Sequence, residues 1–235
     1  MTLDRILQSQ GFGTRRYCGD LILAGLVEVN GELVEDPGAS FEVDGLRLTI
    51  DGEAWLACTK AYLMLNKPTG YECSQRPRHH PSVYSLLPVP LRQRDVQAVG
   101  RLDHDTTGLL LLTDDGQFIH AHTSPKRKVP KVYEVTTAEP VTEAQAEALR
   151  SGVQLDDEPK PIAAHACEIT GDNTLRLSLV QGKYHQVKRM VAAAGNHVTA
   201  LHRSAIGDLL LDPALEPGEW RWLSADELAI LARKD

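Results

Sequence analysis

The chain has 235 residues, of which 42% are hydrophobic and 24% charged, with a formal net charge of −7. This is the composition of an ordinary globular protein long enough for two domains. No apolar run approaches the roughly 18 residues of a membrane span, and the first residues lack the basic region and apolar core of a signal peptide. A cytoplasmic protein with no membrane association is therefore expected. Cys18, Cys58, Cys73 and Cys167 form no C-x-x-C pair, which argues against a disulfide framework or a zinc site of the usual spacing. His79-His80 and His120-x-His122 lack a matching second ligand pair, so no metal site is expected.

The average charge hides a pattern. Residues 1–52 hold nine acids against four arginines, a net of −5. The remainder contains two dense basic clusters, Lys126-Arg127-Lys128-x-x-Lys131 and the set Lys183, His185, Lys188, Arg189, His202 and Arg203. Clustered cations can hold phosphates on a protein that is acidic overall.

In chain order, residues 3–8 read as a short helix ending near Gly11 and Gly13. Thr14 is an N-cap for a second helix over 15–24 that opens on Arg15-Arg16 and stops at Gly25. Val27-Glu28-Val29 and Glu32-Leu33-Val34 flank Asn30-Gly31, the pair a type I′ hairpin turn demands. Residues 46–50 alternate as a further strand. Residues 51–60 read as a connector in which Trp55 docks between two domains. Residues 62–65 begin the second domain as a strand stopped by Asn66-Lys67-Pro68-Thr69-Gly70. The stretch 74–95 carries Pro77, Pro81, Pro88 and Pro90, leaving room only for a short helix over 83–87, and a long irregular loop of this kind is often functional.

Leu109-Leu110-Leu111-Leu112 reads as a fully buried strand. The loop before it, Val99-Gly100-Arg101-Leu102-Asp103-His104-Asp105-Thr106-Thr107-Gly108, is crowded with oxygen acceptors. A crowded polar loop on a rigid scaffold is where a site is expected. Further on, residues 117–122 are helical and 132–136 alternate as a strand. Thr142-x-x-Gln145 is a capping box for a helix to Arg150, and 175–179 is another strand. Residues 184–194 read as a helix with Val187, Met190, Val191 and Ala194 on one face and His185, Lys188 and Arg189 on another. Ser224-x-x-Glu227 caps a last helix. Strands and helices mix without strict βαβ alternation, so the second domain is α+β.

Three chemistries fit the central loop. Asp103-x-Asp105-x-Thr107 matches the D-x-D-x-T loop of haloacid-dehalogenase-type phosphatases, but Gly100-Arg101 interrupts the strand that should precede it. Asp103, Asp105, Thr107 and Asp114 partly match a calcium loop, yet four leucines lie inside it. The third reading draws on the whole chain. Leu3-Asp4-Arg5, Thr14-Arg15-Arg16 and Gly25-Leu26-Val27-Glu28-Val29-Asn30-Gly31 resemble the S4 RNA-binding domain. Leu65-Asn66-Lys67-Pro68-x-Gly70, residues 100–116, Lys131-Val132-Tyr133-Glu134-Val135 and Gly182-Lys183-Tyr184-His185-Gln186-Val187-Lys188-Arg189-Met190 resemble, in order, four motifs of the RsuA/RluA-type pseudouridine synthases.

The resemblance implies an S4 domain over residues 1–52, a linker over 53–60 and a catalytic domain over 61–235 with a central, mainly antiparallel mixed sheet flanked by helices. It assigns Asp103 as the catalytic carboxylate and Tyr133 as the ring that packs on the target base. Lys188 becomes the cation that pairs with Asp103, and Arg101 the side chain that fills the gap left by a flipped uridine. Arg15, Arg16, Lys67, Lys126, Arg127, Lys128, Lys131, Lys183, His185 and Arg189 are the expected RNA contacts. Asp105 and Thr107 are expected to shape the loop. The reaction is an isomerisation and implies no cofactor and no metal. The last motif is most similar to the RsuA branch, so the implied substrate is one uridine of bacterial 16S ribosomal RNA, free or in an assembling 30S particle, acted on by a monomer. A 23S target and a non-catalytic S4-type ribosome-assembly binder are the alternatives.

Overall fold

The computed structural model describes residues 1–124 and 127–233. Two compact units emerge: Met1–Tyr62 with Leu87–Gln97 and Thr113–Asp115, and Leu63–Leu86 with Ala98–Leu112 and Gly116–Asp235.

In the first unit, helices α1 (Leu3–Ser9) and α2 (Arg15–Leu23) pack on a sheet of β1 (Val27–Val29), β2 (Glu32–Leu33), β3 (Arg47–Ile50) and β4 (Glu53–Leu56), ordered β2-β1-β3-β4. The Thr14 hydroxyl caps α2 by accepting the Tyr17 N–H. Asn30 and Gly31 take the positive φ values, 53° and 87°, that a type I′ turn requires. Leu3, Ile6, Leu7, Cys18, Ile22, Val27 and Leu48 form the core.

The expected linker over 53–60 is corrected here, because its first half is strand β4, antiparallel to β3. Asp51 and Gly52 have φ of 50° and 83°, so this Asp-Gly pair is a second hairpin turn rather than the start of a connector. Trp55 packs edge-on against Phe12 at 5.1 Å inside this unit. The prolines also conceal a helix, α3 (Val89–Gln93), whose Pro90 lies in the first turn where no N–H is needed. Arg94 follows it and is almost fully buried. Its guanidinium donates to Gln10 Oε1 (2.8 Å), Cys58 O (3.0 Å) and Thr59 O (3.1 Å), and pairs with Asp114 at 2.7 Å. These bonds draw residues 87–97 and 113–115 into the unit, which a division by sequence position does not anticipate.

The second unit is built on a nine-stranded sheet. Its strands are β5 (Tyr62–Lys67), β6 (Gln97–Ala98), β7 (Thr107–Thr113), β8 (Lys131–Thr137), β9 (Ala166–Gly171), β10 (Thr174–Leu179), β11 (Val198–Ile206), β12 (Leu209–Leu210) and β13 (Trp220–Trp222). The order is β13-β5-β7-β11-β8-β10-β9, with β6 beside β7 and β12 beside β11. β7 and β11 run parallel, whereas β8 pairs antiparallel with both β10 and β11. The fold is α+β with a mainly antiparallel mixed sheet.

Helices α4 (Gly116–Thr123), α5 (Glu143–Ser151), α6 (Gln186–Ala193) and α7 (Ala225–Ala232) complete the unit. Val187, Met190 and Val191 of α6 and Ala146 and Leu149 of α5 share a core with Val135, Leu175 and Leu177 of the sheet. The four leucines of β7 are each at most 1% exposed, as a strand covered on both faces must be. Gly108 (φ 101°) opens this strand where a Cβ would meet Arg203 O of β11 at 2.3 Å, so only glycine lets the two backbones approach.

Both predicted capping boxes form, Thr142/Gln145 on α5 and Ser224/Glu227 on α7. Glu227 also takes both arms of Arg221, at 2.7 and 2.9 Å, and these hydrogen bonds pull its pKa from 4.5 down to about 2. A depressed carboxylate stabilises the fold above its ordinary pKa and loses that contribution as the pH falls. Glu227→Gln should therefore cost about 1–2 kcal/mol at pH 7. Its gap from the wild type should narrow as the pH drops from about 4.5 toward about 2, which urea unfolding at pH 7, 4 and 3 will read.

Candidate active site

The polar loop between β6 and β7 is pinned from below. Lys67 ends β5 with 0% exposure. Its ammonium donates to the carbonyls of Pro68 (3.0 Å), His104 (3.2 Å) and Thr106 (2.9 Å). Burial draws its pKa below the usual lysine value. Gly70 N–H donates to His104 O at 2.7 Å, and Thr106 N–H closes the turn onto Asp103 O at 3.1 Å. The expected RNA contact at Lys67 is thereby corrected: its side chain is fully buried and three backbone carbonyls hold its charge inside the protein. A second clamp shapes the proline-rich loop. Glu72 accepts the backbone N–H groups of Arg78, His79 and His80 at 3.1, 2.9 and 3.0 Å, and the His80 ring stacks on His104 at 4.3 Å.

Above this floor lies a cleft of about 620 Å³, lined among others by Arg101, Asp103, Tyr133, Tyr184, His185 and Lys188. Tyr133 is half-buried and comes from β8, opposite Arg203 of β11. Lys188 comes from the first turn of α6. The Asp103 carboxylate is 29% exposed, with His185 Nε2 3.5 Å from Oδ1 and Lys188 Nζ 3.6 Å from Oδ2. Lys188 is closer to Asp105, donating to Oδ1 at 2.6 Å and Oδ2 at 2.8 Å. Burial works against ionisation of Asp105, but the Lys188 hydrogen bonds and charge outweigh it and hold the carboxyl below its usual pKa. Asp105 thus does more than shape the loop: it is the nearest counter-ion of the lysine beside Asp103. Among the described residues, no group of three or more His, Cys, Asp or Glu side chains is placed to hold a metal ion.

A partly exposed carboxylate, a lysine, an arginine, an imidazole and two phenols therefore share a cleft open enough to admit a nucleoside. Residues 61–193 match the RNA pseudouridylate synthase family and residues 1–44 the S4 domain. The chain is 40% identical to ribosomal small subunit pseudouridine synthase A of Haemophilus influenzae, covering 99% of this chain and 100% of that one. It is 42% identical to the protein of the same name in Escherichia coli, over 97% and 99%. A crystal structure of a pseudouridylate synthase superposes with a TM-score of 0.71 at 39% identity, covering 99% and 100%. The chain belongs to the RNA pseudouridylate synthase family.

The remaining predicted RNA contacts of this pseudouridylate synthase divide by partner. Arg101 is exposed on the same cleft, and Arg16 and Lys128 are exposed elsewhere. Arg15 pairs with Asp4 at 2.5 Å and Lys183 with Glu158 at 2.6 Å. Arg189 pairs with Asp157 and donates to Tyr184 O at 3.1 Å. Lys131 is half-buried and donates to Val129 O at 3.0 Å. Arg127 is half-buried, and its Nη2 donates to Leu231 O and Ala232 O at 3.1 and 3.3 Å at the end of α7. Lys126 lies outside the described residues.

Two features escape sequence reasoning. Helix α6 begins at Gln186, two residues later than its periodicity suggests, because His185 is left-handed (φ 47°, ψ 33°). That turn sets Tyr184 and His185 against the cleft. Arg203, counted with the basic cluster, is 3% exposed and donates from Nε to Leu109 O at 2.8 Å. Its charge lies within the sheet.

Proposed function

We propose that this pseudouridine synthase isomerises one uridine of bacterial small-subunit ribosomal RNA, in free 16S RNA or in an assembling 30S particle, acting as a monomer in the cytoplasm where that RNA is made. The observation that carries this reading is the convergence of Asp103, Tyr133 and Lys188, from a loop, a strand and a helix, on one cleft. The small-subunit target is supported by the names of the full-length relatives.

In the reaction the N1–C1′ bond breaks, the uracil turns, and a C5–C1′ bond forms. The C5 proton leaves and N1 gains a proton, so composition and oxidation state are unchanged. Asp103 is the carboxylate that bonds to the substrate while the base is detached. Lys188 sets a positive charge 3.6 Å from this carboxylate, on the side of the cleft that meets the negative RNA backbone. Tyr133 packs on the target base within reach of the proton that moves, and Arg101 takes the place of the uridine once it is flipped from its stack. A binder without catalysis would have no need of this convergence. Pseudouridine mapping of ribosomal RNA from cells with and without the gene should show one site lost from the small subunit. An unchanged 16S map would refute the assignment, and a site lost from 23S RNA would transfer it to the large subunit.

A further inference from the structure

The rim of the cleft carries an aromatic plate that the chemistry above does not use. Tyr184 is 73% exposed, the most exposed of the large hydrophobic side chains among the described residues. One face of its ring stacks on His185 at 3.8 Å and 19°, so the opposite face is open. The backbone that carries the plate is anchored. Its carbonyl accepts from Arg189, which is itself anchored on Asp157. Lys183 N–H donates to Gln186 Oε1 at 2.9 Å, and the Lys183 ammonium is tied to Glu158. His185 holds a left-handed backbone conformation, of the kind stored at functional positions. A ring already stacked on one face presents the other to a partner, and every nucleobase has a face that stacks on one.

We infer that Tyr184 is a stacking platform for the base next to the flipped uridine, and so a positioning residue that sets which uridine reaches Asp103. The inference rests on the reading above. A neighbour rather than the target is favoured because Tyr184 stands at the exposed rim, while half-buried Tyr133 and Asp103 line the interior of the cleft. Stacking rather than phosphate contact is favoured because the flanking cations Lys183 and Arg189 already have carboxylate partners.

The test uses the full-length protein and the fragment of 16S RNA that carries the mapped uridine. Tyr184→Ala should weaken binding and raise KM roughly 10- to 100-fold, the range of one lost base–aromatic stack. At saturating RNA, kcat should stay within about two-fold, and the slope of log affinity against log salt should not change. Tyr184→Phe should behave as the wild type. An abasic nucleotide on one side of the uridine should erase the difference between wild type and Tyr184→Ala. Unchanged affinity in Tyr184→Ala would overturn the inference, as would a loss shared equally by Phe. A loss of kcat with KM unchanged would do the same, by making Tyr184 a support for His185. Absence of turnover by the wild type would instead strike the underlying reading, and direct binding would still decide the stacking.

Discussion

Asp103→Asn should abolish pseudouridine formation, lowering kcat by at least ~10⁴-fold, the scale of removing a nucleophile. Asparagine keeps the size and most of the hydrogen-bonding capacity of the side chain but cannot form the bond to substrate. The fold should be unaffected, because the contact that closes the loop is made by the Asp103 carbonyl to Thr106 N–H and not by the carboxylate. The carboxylate itself faces His185 and Lys188, at 3.5 and 3.6 Å. RNA affinity should be retained or slightly improved, since one negative charge beside the phosphates is lost. Tritium release from RNA labelled at C5 of uridine, measured alongside binding, will show this. Near-normal turnover would exclude Asp103 and leave Asp105, with its bidentate hold on Lys188, as the remaining carboxylate of the loop.

Lys67→Met should be the most damaging substitution outside the reacting groups. Methionine matches the hydrocarbon stem of the side chain but removes the donor that three backbone carbonyls share. Leaving them unpaired should cost about 3–5 kcal/mol, a fall in Tm on the order of 10 °C. Activity should drop about 10²-fold even where the protein remains folded, because His104 and Thr106 bracket the loop that positions Asp103, and small displacements of a reacting group are costly. The salt dependence of RNA binding should not move, since this ammonium does not reach a phosphate. A stable Lys67→Met protein with a flatter salt slope would instead restore Lys67 to the RNA surface. Arginine should not rescue, because a planar fork does not fit the three acceptors that surround a compact ammonium.

Much of the fold is legible in adjacent residues. Asn30-Gly31 encodes a turn because few other pairs tolerate two positive φ values. Thr142/Gln145 and Ser224/Glu227 encode helix starts because a side chain and a backbone N–H three residues apart satisfy one another. Asp51-Gly52 carries the same hairpin signal, so strand β4 could have been read from it. Helix α3 was hidden by prolines that are harmless in a first turn, and α6 was overextended because its apolar period continues through a turn that only the left-handed His185 reveals.

By itself the sequence determined the local elements, the S4 and synthase motifs, and the candidate set Asp103, Tyr133 and Lys188, because these depend on short-range stereochemistry and on residue types in a recognisable order. Only the tertiary structure decided what each charge is for. In the sequence Lys67, Arg127 and Arg203 read alike, as cations available to RNA, and Lys188 as the partner of Asp103 alone. In the fold Lys67 braces the loop that carries Asp103, Arg127 donates to the last carbonyls of α7, Lys188 stands between Asp103 and Asp105, and Arg203 is buried between strands. A cation's role is set by the acceptors within a few ångströms and by its exclusion from water, and for these four those partners lie far away along the chain or are reached only by burial.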